Sequence, residues 1–143
     1  SLSGQYDGGN IFAKIPRGEA PCIKIYEDAE TLAFMDIFPQ SPGHCLVLPK
    51  NVQARNLIDL PADRLTSLFT TVQKVATAVV KALEPDGVVV TQFNGAPAGQ
   101  TVFHLHVHVI PRFDNLPMLP HRQGKPADMD ALRDQAARIE AAL

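Results

Sequence analysis

Residues 104–109 read His-Leu-His-Val-His-Val, and this strict alternation constrains the fold more than any other stretch. Successive side chains of a strand point to opposite faces. A strand here puts His104, His106 and His108 on one face and Leu105, Val107 and Val109 on the other. The apolar face needs a partner, and the chain supplies one. Between Pro61 and Leu83, Leu65, Leu68, Phe69, Val72, Val75, Ala76, Val79 and Leu83 recur at steps of three and four, the spacing of an amphipathic helix. Pro61 suits its first turn, and Pro85 with Gly87 marks its stop. The imidazole face is costly in a core unless its nitrogens are satisfied. Three histidines at period two therefore point to function rather than packing.

The other elements are short. Cys22–Glu27, Thr31–Asp36, His44–Pro49, Val88–Phe93 and Val102–Ile110 read as strands, the last ended by Pro111. Ile11, Phe12 and Ile15 make a short amphipathic turn closed by Pro16 and Gly18. Asp128–Leu143 reads as a helix with Leu132, Ala136, Ile139 and Leu143 on one stripe. Residues 1–10 are polar and Gly-rich and are expected to be loose. This order predicts an α+β fold: a five-stranded, mainly antiparallel sheet, one long helix, a short N-terminal helix and a C-terminal helix. With 143 residues, there is material for a single domain over residues 1–143 but little for two.

Composition removes several function classes. A net charge of -2 and a pI near 6.2 give no broad basic surface, so nucleic acid is not an expected partner. No apolar run approaches the ~18 residues of a membrane span. The first residues carry neither a basic nor an apolar leader region, so a cytoplasmic protein is expected. Cys22 and Cys45 lie in apolar, strand-like stretches without a CxxC partner. They read as buried free thiols in a reducing compartment. His121 falls in a polar loop and reads as a surface residue.

Two chemistries compete for the histidines. A His-x-His pair on a strand with a third histidine elsewhere is one way to hold zinc. However, His104 and His108 would stand roughly 13 Å apart along a strand. A metal site would need two of the three plus His44, with no Asp or Glu close in sequence to complete it. The second chemistry is nucleophilic. A neutral imidazole attacks phosphorus well and leaves readily, so it can split phosphoryl or nucleotidyl transfer into two steps. His106 is central and flanked by imidazoles able to polarise a phosphate. The loop 94–101 adds backbone, amide and hydroxyl groups suited to non-bridging oxygens. No GxxxxGK[ST] is present, so this is not a P-loop protein.

The run 104–109 resembles the signature of the histidine triad (HIT) family of nucleotide hydrolases and transferases. The likeness extends to Gly99-Gln100-Thr101-Val102-Phe103, Ile110-Pro111-Arg112, Ile11 through Glu19, Ala33-Phe34-Met35-Asp36 and Pro42-Gly43-His44, covering residues 10–112. It implies that His106 is the nucleophile of a nucleotidyl-histidine intermediate and that His108 contacts the α-phosphate. His104 becomes a positioning residue whose carbonyl accepts a hydrogen bond from the nucleophile's other nitrogen, and His44 packs near the triad. Asp36 would bind ribose hydroxyls. Ile11, Phe12, Ile15, Phe34 and Ile37 would form an apolar purine pocket, with Gln100 and Thr101 in the phosphate loop and Asn94 near ribose and phosphate. Asp36 resembles the phosphoramidase branch, with dinucleoside polyphosphate hydrolysis as the alternative. A non-catalytic nucleotide-binding module is the alternative of another class. The resemblance further implies a homodimer joined through a ten-stranded sheet, no required metal or cofactor, and a C-terminal part, 113–143, that varies among members.

Overall fold

The computed structural model describes residues 1–119 and 126–143; His121 lies outside them. Strands β1 (Lys24–Glu27), β2 (Thr31–Met35), β3 (Cys45–Pro49), β4 (Gly87–Thr91) and β5 (Val107–Arg112) form an antiparallel sheet in the order β1-β2-β3-β5-β4. The helices are α1 (Ile11–Lys14), α2 (Leu65–Leu83) and α3 (Met129–Ala141). The α+β class and the five antiparallel strands are those expected.

The three central strands are buried on both faces, and their period-two alternation assigns the two faces different neighbours. Ala33, Met35, Cys45, Val47, Val107 and Val109 pack with Leu68, Val72, Val75 and Val79 of α2 and with Leu132, Ala136 and Ile139 of α3. The intervening residues Leu32, Phe34, Leu46 and Leu48 face the other way, into a smaller cluster with Phe12 and Val102. His108 shares that second face, opposite Leu46 on β3 and Thr91 on β4. α2 and α3 thus cover one face, while α1 and His108 lie on the other.

Several boundaries differ from expectation. The last strand begins at Val107, not Val102. Its pairing with β3 stops at Val47 opposite Val107. Upstream of that point the chain bonds outside the sheet: the Leu105 N–H donates to the Ala54 carbonyl at 2.9 Å. His104 and His106 therefore precede the strand rather than line it, although Leu105 still reaches the helix-covered core. Cys22 likewise precedes β1, which carries an irregularity between Lys24 and Tyr26. The long helix begins at Leu65, because Pro61 leads into a 3₁₀ turn, Ala62–Arg64. It ends at Leu83 on a left-handed Glu84. Leu143 is 44% exposed and drops out of the C-terminal stripe.

The two chain ends are better fixed than their composition suggests. Residues 1–10 hold no helix or strand, yet they are tied down. Arg55 donates to the Ser1 and Gln5 carbonyls, Asn56 donates to the Leu2 carbonyl, and Ser1 Oγ accepts the Ala96 N–H. In α3, Gln135 accepts the Gly43 N–H, and Arg138 donates to the Ala82 carbonyl. No helix among the described residues is long and apolar enough to cross a membrane.

Candidate active site

A cleft of about 260 Å³ opens on the sheet face away from α2 and α3. Its walls are mostly apolar. Asn10 caps α1 by accepting the Ala13 N–H, a favourable way to start so short a helix. The turn delivers Phe12 edge-on to Phe34, with centroids 5.6 Å apart, and to His106 at 4.7 Å. Ile11 and Ile37 stand at the walls 43% and 39% exposed. Ile15, Phe34, Thr101, Asp36, His106 and His108 also line the cleft. Pro21, Cys22, Met35, Phe38, Leu46 and Val102 complete it and were not anticipated. Leu46 was within reach of sequence reasoning, since it shares the alternating face of β3 with His44.

Hydrogen bonds fix the tautomers of the histidines. A carbonyl only accepts, so His106 donates from Nδ1 to the His104 carbonyl at 2.7 Å. A neutral His106 then carries its lone pair on Nε2. The Gln40 N–H donates to His44 Nδ1 at 3.0 Å, which leaves the proton of a neutral His44 on Nε2. That group lies 2.9 Å from His108 Nδ1 and donates to it. The proton of a neutral His108 is consequently on Nε2. The two cleft imidazoles, centroids 5.1 Å apart, differ in kind: one offers an electron pair and the other an N–H.

His104 does not line this cleft. Its ring turns the other way, donating from Nε2 to the Pro49 carbonyl at 3.0 Å and meeting the Tyr6 hydroxyl at 2.6 Å through Nδ1. Burial holds its pKa below the ordinary value, against the opposing pull of the Pro49 bond. The expectation of three histidines on one strand face is thus corrected. His106 and His108 enter the cleft, while His104 supports from behind with its carbonyl.

The phosphate loop is also built differently from its reading. Gln100 is buried and fully engaged: its Oε1 accepts the Gly95 N–H, and its Nε2 donates to the Arg55 and Val102 carbonyls. Asn94 Oδ1 accepts from the Leu57 N–H and from Gln92 Nε2. Neither residue lines the cleft; both shape the loop that presents Thr101. Asp36 accepts the Phe38 N–H at 2.8 Å through Oδ1, which leaves Oδ2 facing His44 Nε2 at 3.5 Å.

Asp36, His44 and His108 gather ligand atoms within 4.8 Å of one another, a cluster that sequence spacing did not suggest. Its chemistry fits a metal poorly. A metal on His44 Nε2 would force the ring proton to Nδ1, against the Gln40 N–H that already points there. Cysteine chemistry is no better served. Cys22 is half-buried rather than buried, and burial raises its pKa; Cys45 is fully buried, and burial, aided by the Asp36 charge, raises its thiol far more. Both remain thiols, which are poor nucleophiles.

Comparison with known proteins identifies the family. Residues 17–115 match the family model described as the HIT domain. The chain is 42% identical over 102 residues to the adenosine 5'-monophosphoramidase hnt1 of Schizosaccharomyces pombe, covering 71% of this chain and 73% of that one. It is 41% identical over 102 residues to the adenylylsulfatase HINT3 of Arabidopsis thaliana, covering 71% of this chain but about half, 51%, of that protein's length. A solved Hit-like protein from Bartonella henselae superimposes with a TM-score of 0.90 at 45% identity, covering 98% of this chain and 100% of that one. On its sequence, its fold and the two imidazoles at its cleft, the chain belongs to the HIT domain family.

Proposed function

We propose that the protein hydrolyses purine nucleoside phosphoramidates through a nucleotidyl-His106 intermediate. The observation that carries the reading is the His106 Nδ1–H bond to the His104 carbonyl at 2.7 Å. It directs the ring's electron pair to Nε2, beside an apolar cleft of base size. In the first step Nε2 attacks the α-phosphorus, the bond to the leaving nitrogen breaks, and the departing amine takes up a proton from solvent. In the second, water attacks the phosphorus, the phosphorus–Nε2 bond breaks, the nucleoside monophosphate leaves, the water's proton returns to solvent and the lone pair is restored. His108 Nε2–H donates to a non-bridging oxygen as charge builds there. Asp36 takes the ribose hydroxyls, while Phe12, Phe34, Ile11, Ile15 and Ile37 enclose the purine. The relatives named as a phosphoramidase and an adenylylsulfatase support hydrolysis at the α-phosphate.

No metal takes part in these steps, so EDTA should leave the rate unchanged. The test is turnover of a fluorogenic adenosine phosphoramidate beside a dinucleoside tetraphosphate, with the mass of the acid-quenched protein. Phosphoramidate turnover with a nucleotidyl adduct is the expected result. Preference for the tetraphosphate would move the protein to the alternative hydrolase, and binding without turnover of either would make it a nucleotide-binding module. His106→Asn removes the attacking nitrogen while leaving the cleft in place. It should lower the single-turnover rate by about 10⁴-fold or more and abolish the adduct. His108→Asn should be milder, costing about 3 kcal/mol of transition-state stabilisation.

A further inference from the structure

We propose that Tyr6 is a positioning residue for His106, acting through His104; the inference rests on His106 being the nucleophile. Nothing in the Gly-rich stretch around Tyr6 singled it out in the sequence. Its hydroxyl lies 2.6 Å from His104 Nδ1, across 98 residues of chain. The direction of that bond is determined. The Pro49 carbonyl can only accept, so His104 Nε2 bears the ring proton and Nδ1 the lone pair. Tyr6 therefore donates. With both nitrogens satisfied and the ring 5.8 Å from the tyrosine ring in an edge-on contact, the His104 side chain has one orientation.

That orientation governs His106 because the backbone here is outside the sheet. One peptide group, 104–105, ties both histidines to the scaffold. Its N–H donates to the Ala54 carbonyl, and its oxygen accepts from His106 Nδ1. Tyr6 and Pro49 thus hold the His104 ring while Ala54 holds the N–H of Leu105 on the same peptide, and the His104 carbonyl sets the tautomer of the next histidine. The strap that carries Tyr6 is itself fastened by Arg55 and Asn56, the two residues that follow Ala54. A single short segment therefore fixes both the peptide and the tyrosine. Arg17 and Lys50 line the same hollow behind His104. Each is engaged by a carboxylate, from Glu19 and Glu27 respectively, so neither replaces the tyrosine as a partner for Nδ1.

Tyr6→Phe keeps the ring packing and removes only the hydroxyl. The rate of nucleotidyl-His106 formation should fall about tenfold, the value of roughly one hydrogen bond, with the KM for the phosphoramidate unchanged because no cleft residue is altered. The ¹⁵N shifts of His106 should move from the Nδ1–H tautomer toward the average of the two tautomers, a change read without any substrate. In a His104→Ala background, Tyr6→Phe should have no further effect. Unchanged His106 shifts in Tyr6→Phe would overturn the proposal, as would fully additive rate effects in the double variant. If the wild-type protein forms no adduct, the reading of His106 as nucleophile fails instead, while the shifts still report whether Tyr6 sets its tautomer.

Discussion

At the scale of single residues, the site depends on polar side chains whose work is to hold other groups still. Gln100 is the clearest. Its type and position suggest a phosphate ligand, but its three amide contacts close the loop instead. Gln100→Ala would leave one buried N–H and two carbonyls without partners. A loss of about 3 kcal/mol is expected in urea unfolding, along with a lower kcat/KM as the loop carrying Thr101 loosens. His104 gives a pH dependence whose sign is fixed. Its pKa is lower folded than unfolded, mainly through burial, so the unfolded chain binds the extra proton. Its contribution is intact above its ordinary value near 6.5 and is lost as pH falls through the lower folded value. Urea midpoints should drop below about pH 6.5, and less steeply in His104→Phe. The types and order of the site residues were legible from sequence: His106, His108, Asp36 and Phe12 all reach the cleft. Their support was not, because Tyr6, Gln40 and Ala54 act through a hydroxyl or backbone atoms, which leave no periodic pattern.

Among the elements, strands and helices were legible where burial imposes a period, and least so where it stops. The stripe from Leu68 to Val79 and the alternation in β3 follow from packing on a single sheet face. The start of β5 does not, because His-Leu-His continues the alternation after the ladder has ended. The turn entering β3 shows what such a junction demands. Gly43 sits at φ +88°, and an added Cβ would collide with Leu83 Cδ1 at the end of α2. Gly43→Ala therefore meets a left-handed backbone and overpacking together, and a loss of about 3 kcal/mol is expected. It should also weaken turnover, since His44 follows directly and donates the hydrogen bond that orients His108. Thermal melts and single-turnover rates of the one variant test both effects.

At the scale of the whole molecule, some large apolar side chains stay outside the core. Leu65, Phe69 and Val80 of α2 and Val90 of β4 are exposed, at 39%, 41%, 48% and 48%, and β4 is an edge strand. Exposed apolar edges invite pairing with another copy, and we propose that the protein works as a homodimer that buries these residues. Sedimentation at micromolar concentration should give twice the 15.5 kDa chain mass, and Phe69→Glu with Val90→Lys should give the monomer. The strap has a consequence of another kind, for the order of events during synthesis. Tyr6 leaves the ribosome long before His104, its partner 98 residues later, and β5 follows later still. A growing chain can collapse early hairpins, but it cannot orient the His106 imidazole until nearly all of the sheet has been made. A truncated or stalled product would therefore lack the ordered His104–His106 pair, however much of the apolar cleft it had already formed.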